Sequence, residues 1–226
     1  MRLGVFGGTF DPVHYGHLLL AESCREQCRL DAVWFVPAAV PPHKQQALLS
    51  SAEQRIEMLT LAVSGHTSFA VSRLEVDRGG VSYTVDTLAA LAAEDPARDL
   101  YLLLGADSLD DLPLWREPQR IAELAHLVAV CRPGSPPPDF ERLARRLDRT
   151  LTADRLHVVE MPEMGLSATD LRHRAANGRS LRYRTPRAVE QYIATHAVYR
   201  NRHEPADGDQ RPARQGPCGG ADEENG

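Results

Sequence analysis

The sequence lacks a long apolar run. No stretch of its 226 residues approaches the roughly 18 to 20 apolar residues that a membrane-spanning helix needs. A signal-peptide cleavage pattern is also missing, because Met1 and Arg2 lead directly into a short apolar segment. These absences argue against a membrane partner, and we expect the protein to stay in the cytoplasm.

Paired cysteine motifs are missing as well. The four cysteines contain no CxxC pair and stand at Cys24, Cys28, Cys131 and Cys218. Neither a zinc site nor a redox motif is therefore indicated, and we predict no metal ligands in the protein itself. Cys24 and Cys28 are four residues apart on a predicted helix, where two small half-buried thiols are favoured over a metal pair.

An excess of positive charge is the third absence. The chain has 26 Lys and Arg residues against 31 Asp and Glu residues, which gives a formal net charge of −5. General nucleic-acid binders usually present a basic face, so nucleic acid is not an expected partner. Any phosphate chemistry must therefore come from a local cluster of positive groups.

The composition divides the chain into two parts. The fraction of hydrophobic residues, 42%, is ordinary for a globular protein and predicts a single domain over residues 1–200. Residues 201–226 contain five glycines, three prolines and no Val, Ile, Leu or aromatic residue. We predict that this tail is disordered, because it cannot bury enough apolar surface to offset the entropy of ordering.

Short apolar segments alternate with helical patterns. The segments bounded by Gly, Pro or charged residues are Leu3–Phe6, Ala32–Val36, Leu100–Leu104, Leu127–Val130 and Leu156–Val159. Apolar spacing of three and four residues occurs in Gly16–Cys28, Ala52–Val63, Thr84–Glu94, Pro118–Leu124, Phe140–Leu147, Thr169–Ala176 and Pro186–His196. This alternation predicts an α/β fold with a Rossmann-like parallel sheet, helices on both faces, and ligands at the carboxyl ends of the strands.

The first apolar segment runs into a glycine-rich turn and a helix start, from Gly7 to His17. Unpaired backbone N–H groups and the positive end of the helix dipole meet there, which predicts an anion site. His14 and His17 are three residues apart, so both imidazoles can face one side and donate to phosphate oxygens. The alternative is that one histidine caps the helix and the other packs in the core.

The Gly7 to His17 stretch resembles the GxFxPxHxGH segment of the HxGH nucleotidyltransferase superfamily. Later segments are similar to its bacterial nicotinate mononucleotide adenylyltransferase branch, and the resemblance covers residues 1 to about 200. These segments are Pro41-Pro42-His43-Lys44, Ser82-Tyr83-Thr84-Val85-Asp86-Thr87-Leu88, Gly105-Ala106-Asp107-Ser108-Leu109, Leu112-Pro113-Leu114-Trp115 and Leu166-Ser167-Ala168-Thr169-Asp170-Leu171-Arg172.

The resemblance implies transfer of the AMP part of ATP to nicotinate mononucleotide, with release of pyrophosphate and with Mg²⁺ carried by ATP. It implies catalytic roles for His14, His17, Lys44 and Arg172. Contacts to ATP are expected from Gly7, Gly8, Thr9, Phe10, His14, His17, Gly105, Asp107, Ser167, Thr169 and Arg172. Contacts to the mononucleotide are expected from Thr9, Lys44, Tyr83, Thr84 and Trp115.

Several of these residues also have simpler interpretations. Taken alone, Lys44 is a surface lysine in a proline-rich loop over residues 37–50. Asp107 either accepts hydrogen bonds from the ATP ribose, as the resemblance implies, or caps the next short helix. Trp115 either stacks on the pyridine ring, again as the resemblance implies, or anchors the core.

The last motif combines capping with phosphate binding. Ser167 and Asp170 fit a capping pattern at a helix start, and the same start offers N–H groups and hydroxyls to a triphosphate. Arg172, one turn further, can add a two-pronged contact. The family has Ser-Ser-Thr where this chain has Ala168 in the middle, so no phosphate contact is expected from that side chain.

Two arginines and several rival functions stay open. Arg55 is interpreted as a surface ion pair of its helix, whereas Arg132 follows a strand and could reach phosphate. The rivals are transferases acting on nicotinamide mononucleotide or phosphopantetheine, and a nucleotide sensor without activity. Association into a homo-oligomer is also left open by the sequence.

Overall fold

A computed structural model describes residues 1–41, 50–131, 138–148 and 150–200. The strands are β1 Arg2–Gly8, β2 Ala32–Pro37, β3 Phe69–Val71, β4 Asp99–Gly105, β5 His126–Cys131 and β6 Leu156–Glu160. The helices are α1 Tyr15–Gln27, α2 Ala52–Val63, α3 Leu74–Arg78, α4 Thr84–Glu94, α5 Ala106–Asp111, α6 Pro118–Leu124, α7 Phe140–Arg146, α8 Ala168–Ala176 and α9 Arg187–Thr195. Two short 3₁₀ turns cover Leu112–Leu114 and Ala153–Arg155.

The six strands form one parallel sheet in the order β3-β2-β1-β4-β5-β6. The chain builds outwards from β1 to β3 on one side and from β4 to β6 on the other. The order therefore reverses between β1 and β4, and open α/β sheets bind their ligands in the crevice beyond such a point. The register pairs Val5 with Leu102, so both strands end at the same edge.

Side chains that alternate along the strands divide the core into two layers. Tyr101 and Leu103 of β4 belong to a cluster with residues of α1, α2, α8 and α9. Leu100, Leu102 and Leu104 of the same strand belong to a second cluster with residues of α4, α6 and α7. A strand that is buried on both faces has an unbroken run of apolar residues, and β4 has such a run from Leu100 to Leu104.

The predicted fold class is confirmed, and the predicted strands and helices agree with the structure to within about two residues. The short elements β3 and α3 were not predicted, whereas α5 is the short helix that the capping interpretation of Asp107 assumed. The strand β3 spans three residues and α3 five, so neither is long enough to show a clear period. Cys24 and Cys28 are fully buried in the core rather than half-buried, and burial raises the pKa of both thiols.

Within the four described ranges, no helix is long and apolar enough to cross a membrane. The predicted tail, residues 201–226, lies outside these ranges, as do most of the proline-rich loop and Arg132.

Candidate active site

Two neighbouring cavities open at the carboxyl edge of the sheet, where the strand order reverses. The first, here called the histidine cavity, has a volume of about 560 Å³ and is lined in part by His14, His17, Gly105 and Asp107. The second, here called the tryptophan cavity, has a volume of about 380 Å³ and is lined in part by Gly7, Gly8, Thr9, Tyr83, Thr84 and Trp115. They meet at the end of β4, because Leu104 lines one cavity and Gly105 lines the other.

His14 and His17 form a stacked pair at the start of α1. His14 is the N-cap residue, and its backbone N–H donates to His17 Nδ1 at 3.2 Å. The two rings are stacked, with 3.7 Å between their centroids and 20° between their planes. Among the described residues, His14 Nδ1 is buried without a hydrogen-bond partner. Gly16 leaves room for that ring, because a Cβ at residue 16 would lie 3.0 Å from His14 Nδ1. Both predicted orientations are therefore realised at once: the pair helps to cap α1 and lines the cavity.

Burial keeps both imidazoles neutral at neutral pH. It lowers the pKa of His14 to about 4, with a backbone hydrogen bond acting weakly in the other direction. Burial, and secondarily the neighbouring His14, lowers the pKa of His17 well below its ordinary value. A neutral imidazole has one donor and one acceptor nitrogen. Since His17 Nδ1 accepts the backbone N–H of His14, the proton of His17 resides on Nε2, which makes that atom a donor.

The turn between β1 and α1 has a demanding backbone. Phe10 adopts a φ of 50°, a region that costs a residue with a side chain roughly 1–3 kcal/mol. Its ring is buried among Phe6, Phe35 and His17. A Cβ at Gly8 would lie 2.9 Å from the ring of Phe10, so glycine is needed there for close approach. The packing of Phe10 thus shapes the predicted anion site.

The prediction for Arg55 was wrong. This arginine is 2% exposed and makes no surface ion pair with the residues that the structure describes. Its guanidinium donates to three backbone carbonyls. The acceptors are Thr9 at 3.1 Å, Ala39 at 3.3 Å and Ser50 at 3.3 Å. The spacing contained a signal for this position, because Arg55 precedes Met58 and Leu59 by three and four residues and so shares their buried face.

Asp107 lies in the first turn of α5, at the rim of the histidine cavity. The N-cap position of α5 is occupied by Gly105, so the capping interpretation of Asp107 is wrong. The Asp107 carboxylate is exposed and lines the cavity. The structure therefore brings Gly105 and Asp107 together with the histidine pair, although nearly 90 residues separate them in the sequence.

The start of α8 borders this cavity. Leu166 lines it, whereas Ser167, Thr169 and Arg172 lie outside the described lining residues. Ser167 caps α8 by accepting from the backbone N–H of Asp170 at 3.1 Å, which confirms the capping interpretation. Arg172 donates to the backbone oxygen of Asp11 at 2.9 Å and to the Thr169 hydroxyl at 3.2 Å. The motif is thus tied to the turn that carries the histidines.

Four of the five residues predicted to contact the mononucleotide line the tryptophan cavity: Thr9, Tyr83, Thr84 and Trp115. Tyr83 is the N-cap residue of α4 and Thr84 is its first residue. Trp115 is partly buried against the second core cluster, as its interpretation as a core anchor expects, and it also lines the cavity. Its stacking on a pyridine ring stays a prediction. The Arg116 guanidinium lies 4.8 Å from the centre of the Tyr83 ring. An aromatic surface and a helix start therefore face one space.

Glu75 is a site residue that the sequence did not indicate. Its carboxylate is buried, lines the tryptophan cavity and accepts hydrogen bonds from the hydroxyls of Thr87, at 2.6 Å, and Ser82. Burial raises the pKa of Glu75. Ser82 in turn accepts from the backbone N–H of Ala39 at 2.9 Å. A glutamate on a charged five-residue helix looks like a solvent-exposed residue in sequence, so only the tertiary packing reveals its position.

Lys44 and Arg132 both lie outside the described residues. The assignment of Lys44 to the phosphates remains a prediction, and the role of Arg132 stays open.

Comparison with known proteins shows the family to which the sequence is related. The family model described as cytidylyltransferase-like matches residues 5–174. A Thermus thermophilus protein named as a probable nicotinate-nucleotide adenylyltransferase is 48% identical over 202 residues, covering 88% of this chain and all of the relative. A protein of the same name from Thermomicrobium roseum is 46% identical over 199 residues, covering 88% of this chain and 92% of the relative.

The chain belongs to the nicotinate-nucleotide adenylyltransferase family.

Solved structures agree with this nicotinate-nucleotide adenylyltransferase assignment at the level of the fold. The nicotinic acid mononucleotide adenylyltransferase of Plasmodium falciparum, complexed with NaAD, is similar with a TM-score of 0.71 at 17% identity. The match covers 88% of this chain and 97% of the other. The same enzyme complexed with APC gives a TM-score of 0.70 at 16% identity, over 88% and 96% of the two chains.

Proposed function

We propose that the protein transfers the adenylyl group of ATP to nicotinate mononucleotide, forming nicotinate adenine dinucleotide and pyrophosphate. The observation that carries the proposal is the neutral, stacked His14–His17 pair beside a second, aromatic cavity at the point where the strand order reverses. Such an arrangement suits two phosphate-bearing substrates that must meet end to end. The names of the relatives agree with it.

ATP is assigned to the histidine cavity. The turn formed by Gly7, Gly8, Thr9 and Phe10, of which the first three residues line the neighbouring tryptophan cavity, would offer backbone N–H groups to the ATP phosphates where the two cavities meet. His14, His17 and the positive end of α1 would add to this. The carboxylate of Asp107, beside Gly105, would accept from the ribose hydroxyls. Ser167, Thr169, Arg172 and Lys44 would hold the outer phosphates, with the histidines, Lys44 and Arg172 as the catalytic residues.

Nicotinate mononucleotide is assigned to the tryptophan cavity. Trp115 would cover one face of the pyridine ring, and the start of α4 at Tyr83 and Thr84 would meet the ring carboxylate. Thr9 lines this cavity and belongs to the turn that leads to His14, so it would contact the phosphate together with Lys44. This arrangement directs the 5′-phosphate towards ATP.

The chemical step then needs no covalent intermediate with the enzyme. An oxygen of the 5′-phosphate forms a bond to the α-phosphorus of ATP. The bond from that phosphorus to the bridging oxygen breaks, and pyrophosphate leaves with the electron pair. His17 Nε2–H donates to a phosphate oxygen that gains charge in the transition state. The protein's contribution is alignment and charge stabilisation.

Mg²⁺ enters as part of the MgATP substrate. It usually keeps several waters and binds through substrate phosphates rather than through a cage of protein ligands. In the part of the chain that the structure describes, no group of three His, Cys, Asp or Glu side chains is placed to hold a metal ion. A cytoplasmic location remains a prediction from the sequence, and association into a homo-oligomer stays open.

The proposal is tested with purified protein, ATP, Mg²⁺ and nicotinate mononucleotide. Pyrophosphate release and dinucleotide formation should appear together in equal amounts, and omitting the mononucleotide should abolish both. Replacing the mononucleotide with phosphopantetheine tests the rival transferase. Pyrophosphate formation with phosphopantetheine alone, or ATP binding without any product, would contradict the proposed function.

A further inference from the structure

A buried polar cluster lies beneath the turn that carries the histidines. Its members are Asp11, Ser50, Arg55 and Tyr199, which are between 1% and 3% exposed. Polar side chains are seldom buried at this depth unless hydrogen bonds compensate the lost hydration. Four of them at one point therefore indicate a specific structural task.

Asp11 is the centre of this cluster. The Tyr199 hydroxyl donates to Asp11 Oδ1 at 2.6 Å, and the Ser50 backbone N–H donates to Oδ2 at 3.1 Å. The Ser50 hydroxyl also donates to this carboxylate. Burial, followed by the neighbouring Asp11, raises the pKa of Tyr199. The tyrosine therefore stays protonated at neutral pH and remains a donor to the carboxylate.

Further bonds reach the same turn from the end of the described chain. The Thr185 hydroxyl, itself 1% exposed, donates to the backbone oxygen of Val13 at 2.7 Å. The backbone N–H of Tyr15 donates to the oxygen of Arg184 at 3.1 Å. Thr185 and Tyr199 lie beyond residue 174, where the match to the family model ends. Two buried hydroxyls from outside the matched region thus hold residues 11 and 13, directly before His14.

The turn needs such external support. Phe10 adopts a left-handed backbone conformation that an aromatic residue rarely takes, so the conformation persists only when its surroundings fix it. The bond from Arg55 to Thr9 fixes one side of Phe10, and the bonds to Asp11 fix the other. His14 follows Asp11 by three residues, and no helix or strand lies between them.

We propose that Tyr199 and Thr185 are positioning residues for the histidine pair. They do not touch the substrates; they set the turn between Thr9 and His14, and through it the placement of His14 and His17 towards ATP. This inference rests on the proposed adenylyl transfer. A displacement of about 1 Å in an active site can cost up to ~10²-fold in rate, so loss of one buried bond is expected to lower kcat about tenfold.

The experiment removes one hydroxyl at a time from the full chain. Tyr199→Phe and Thr185→Val preserve side-chain shape, and each should lower kcat about tenfold while the KM values for both substrates stay within about threefold. Tyr192→Phe is the matched control, because the Tyr192 hydroxyl also donates to a carboxylate, that of Glu57, but on the surface between α2 and α9. That control should keep the kcat of the parent.

A second measurement does not depend on activity. In the ¹⁵N-histidine-labelled chain, Tyr199→Phe and Thr185→Val should shift the imidazole resonances of His14 and His17, whereas Tyr192→Phe should leave them in place. Variants that lose thermal stability but, while folded, keep both kcat and these resonances would overturn the positioning role.

A failure of the proposed function can be distinguished from a failure of the positioning role. If the parent protein forms no dinucleotide from either mononucleotide, adenylyl transfer to these substrates is wrong. The imidazole resonances then decide the positioning role by themselves. Unmoved His14 and His17 signals in both Tyr199→Phe and Thr185→Val would overturn it.

Discussion

The histidine cavity and the tryptophan cavity share one edge of the sheet but are built differently. In the first, two neutral imidazoles stand on the first turn of α1, and the turn before them is fixed by buried hydrogen bonds. In the second, an aromatic ring and the start of α4 come from segments about 30 residues apart, supported by the buried Glu75. Under the proposed function, the two histidines that would promote the reaction thus lie on one hydrogen-bonded turn, whereas the groups that would select the mononucleotide lie on separate segments.

This difference predicts that variants of the two cavities will affect different kinetic constants. Changes in the histidine cavity should lower kcat, because its groups act on charge that develops in the transition state. Changes in the tryptophan cavity should raise the KM for the mononucleotide, because its groups bind the ring equally before and during reaction.

The largest effect is expected for His17→Ala. Removing one preorganised donor to a developing charge typically lowers kcat by roughly 10²–10³-fold, and the KM values should change little. Steady-state kinetics with both substrates measures this. His196→Ala is the control, since His196 is an exposed imidazole at the end of α9. A kcat for His17→Ala within about threefold of the parent value would contradict a catalytic role for His17.

The next effect concerns acid stability. The unfolded chain protonates His14 near pH 6.5, but the folded protein does so only near pH 4, where burial has lowered its pKa. The unfolded state therefore binds more protons between these values, and the contribution of His14 to stability is complete above pH 6.5 and falls as the pH drops towards 4. Between pH 7 and 5 the loss should be about 2 kcal/mol.

Urea unfolding of the parent and of His14→Gln at both pH values measures this contribution. The variant should lose less free energy of unfolding between pH 7 and 5 than the parent does. Equal losses in the two proteins would show that His14 is not held in its neutral form.

In the tryptophan cavity we expect a smaller effect, on the KM for the mononucleotide. Trp115→Ala should raise the KM for nicotinate mononucleotide about tenfold, equivalent to about 1.4 kcal/mol, because stacking on an aromatic side chain contributes on the order of 1–3 kcal/mol. The KM for ATP should stay unchanged, and Trp115→Phe should recover most of the loss. An equal rise in both KM values would contradict the assignment of the two substrates to separate cavities.

The smallest effect should come from removing the tail. A chain that ends after Arg200 keeps Tyr199 and every described residue of both cavities. Specific activity and the unfolding midpoint should match those of the full chain, because the tail composition does not support a packed structure. A clear drop in either would show that residues 201–226 contribute to the fold or to the site.

The strands, the longer helices and the turn before His14 could be predicted from the sequence, because each depends on residues that are close together in the chain. The buried runs, the amphipathic helices and the glycine turn before His14 each carry their own periodic or steric signal. Arg55 and Glu75 carry charge that composition assigns to the surface, yet tertiary packing buries both. Tyr199 was not predicted for a related reason: its partner Asp11 is 188 residues away, and no local pattern joins the two.

The most direct test of the account is a competition between two mononucleotides. Under the proposed assignment, a carboxylate would accept hydrogen bonds from several donors at the start of α4, whereas a carboxamide would leave at least one buried polar group unpaired, at a cost of about 1–3 kcal/mol. With ATP, Mg²⁺ and equal concentrations of nicotinate and nicotinamide mononucleotide, the ratio of products gives the ratio of kcat/KM directly. We expect at least ~10²-fold more nicotinate adenine dinucleotide than NAD. Equal amounts of the two products, or an excess of NAD, would contradict the assignment of the tryptophan cavity to the nicotinate ring.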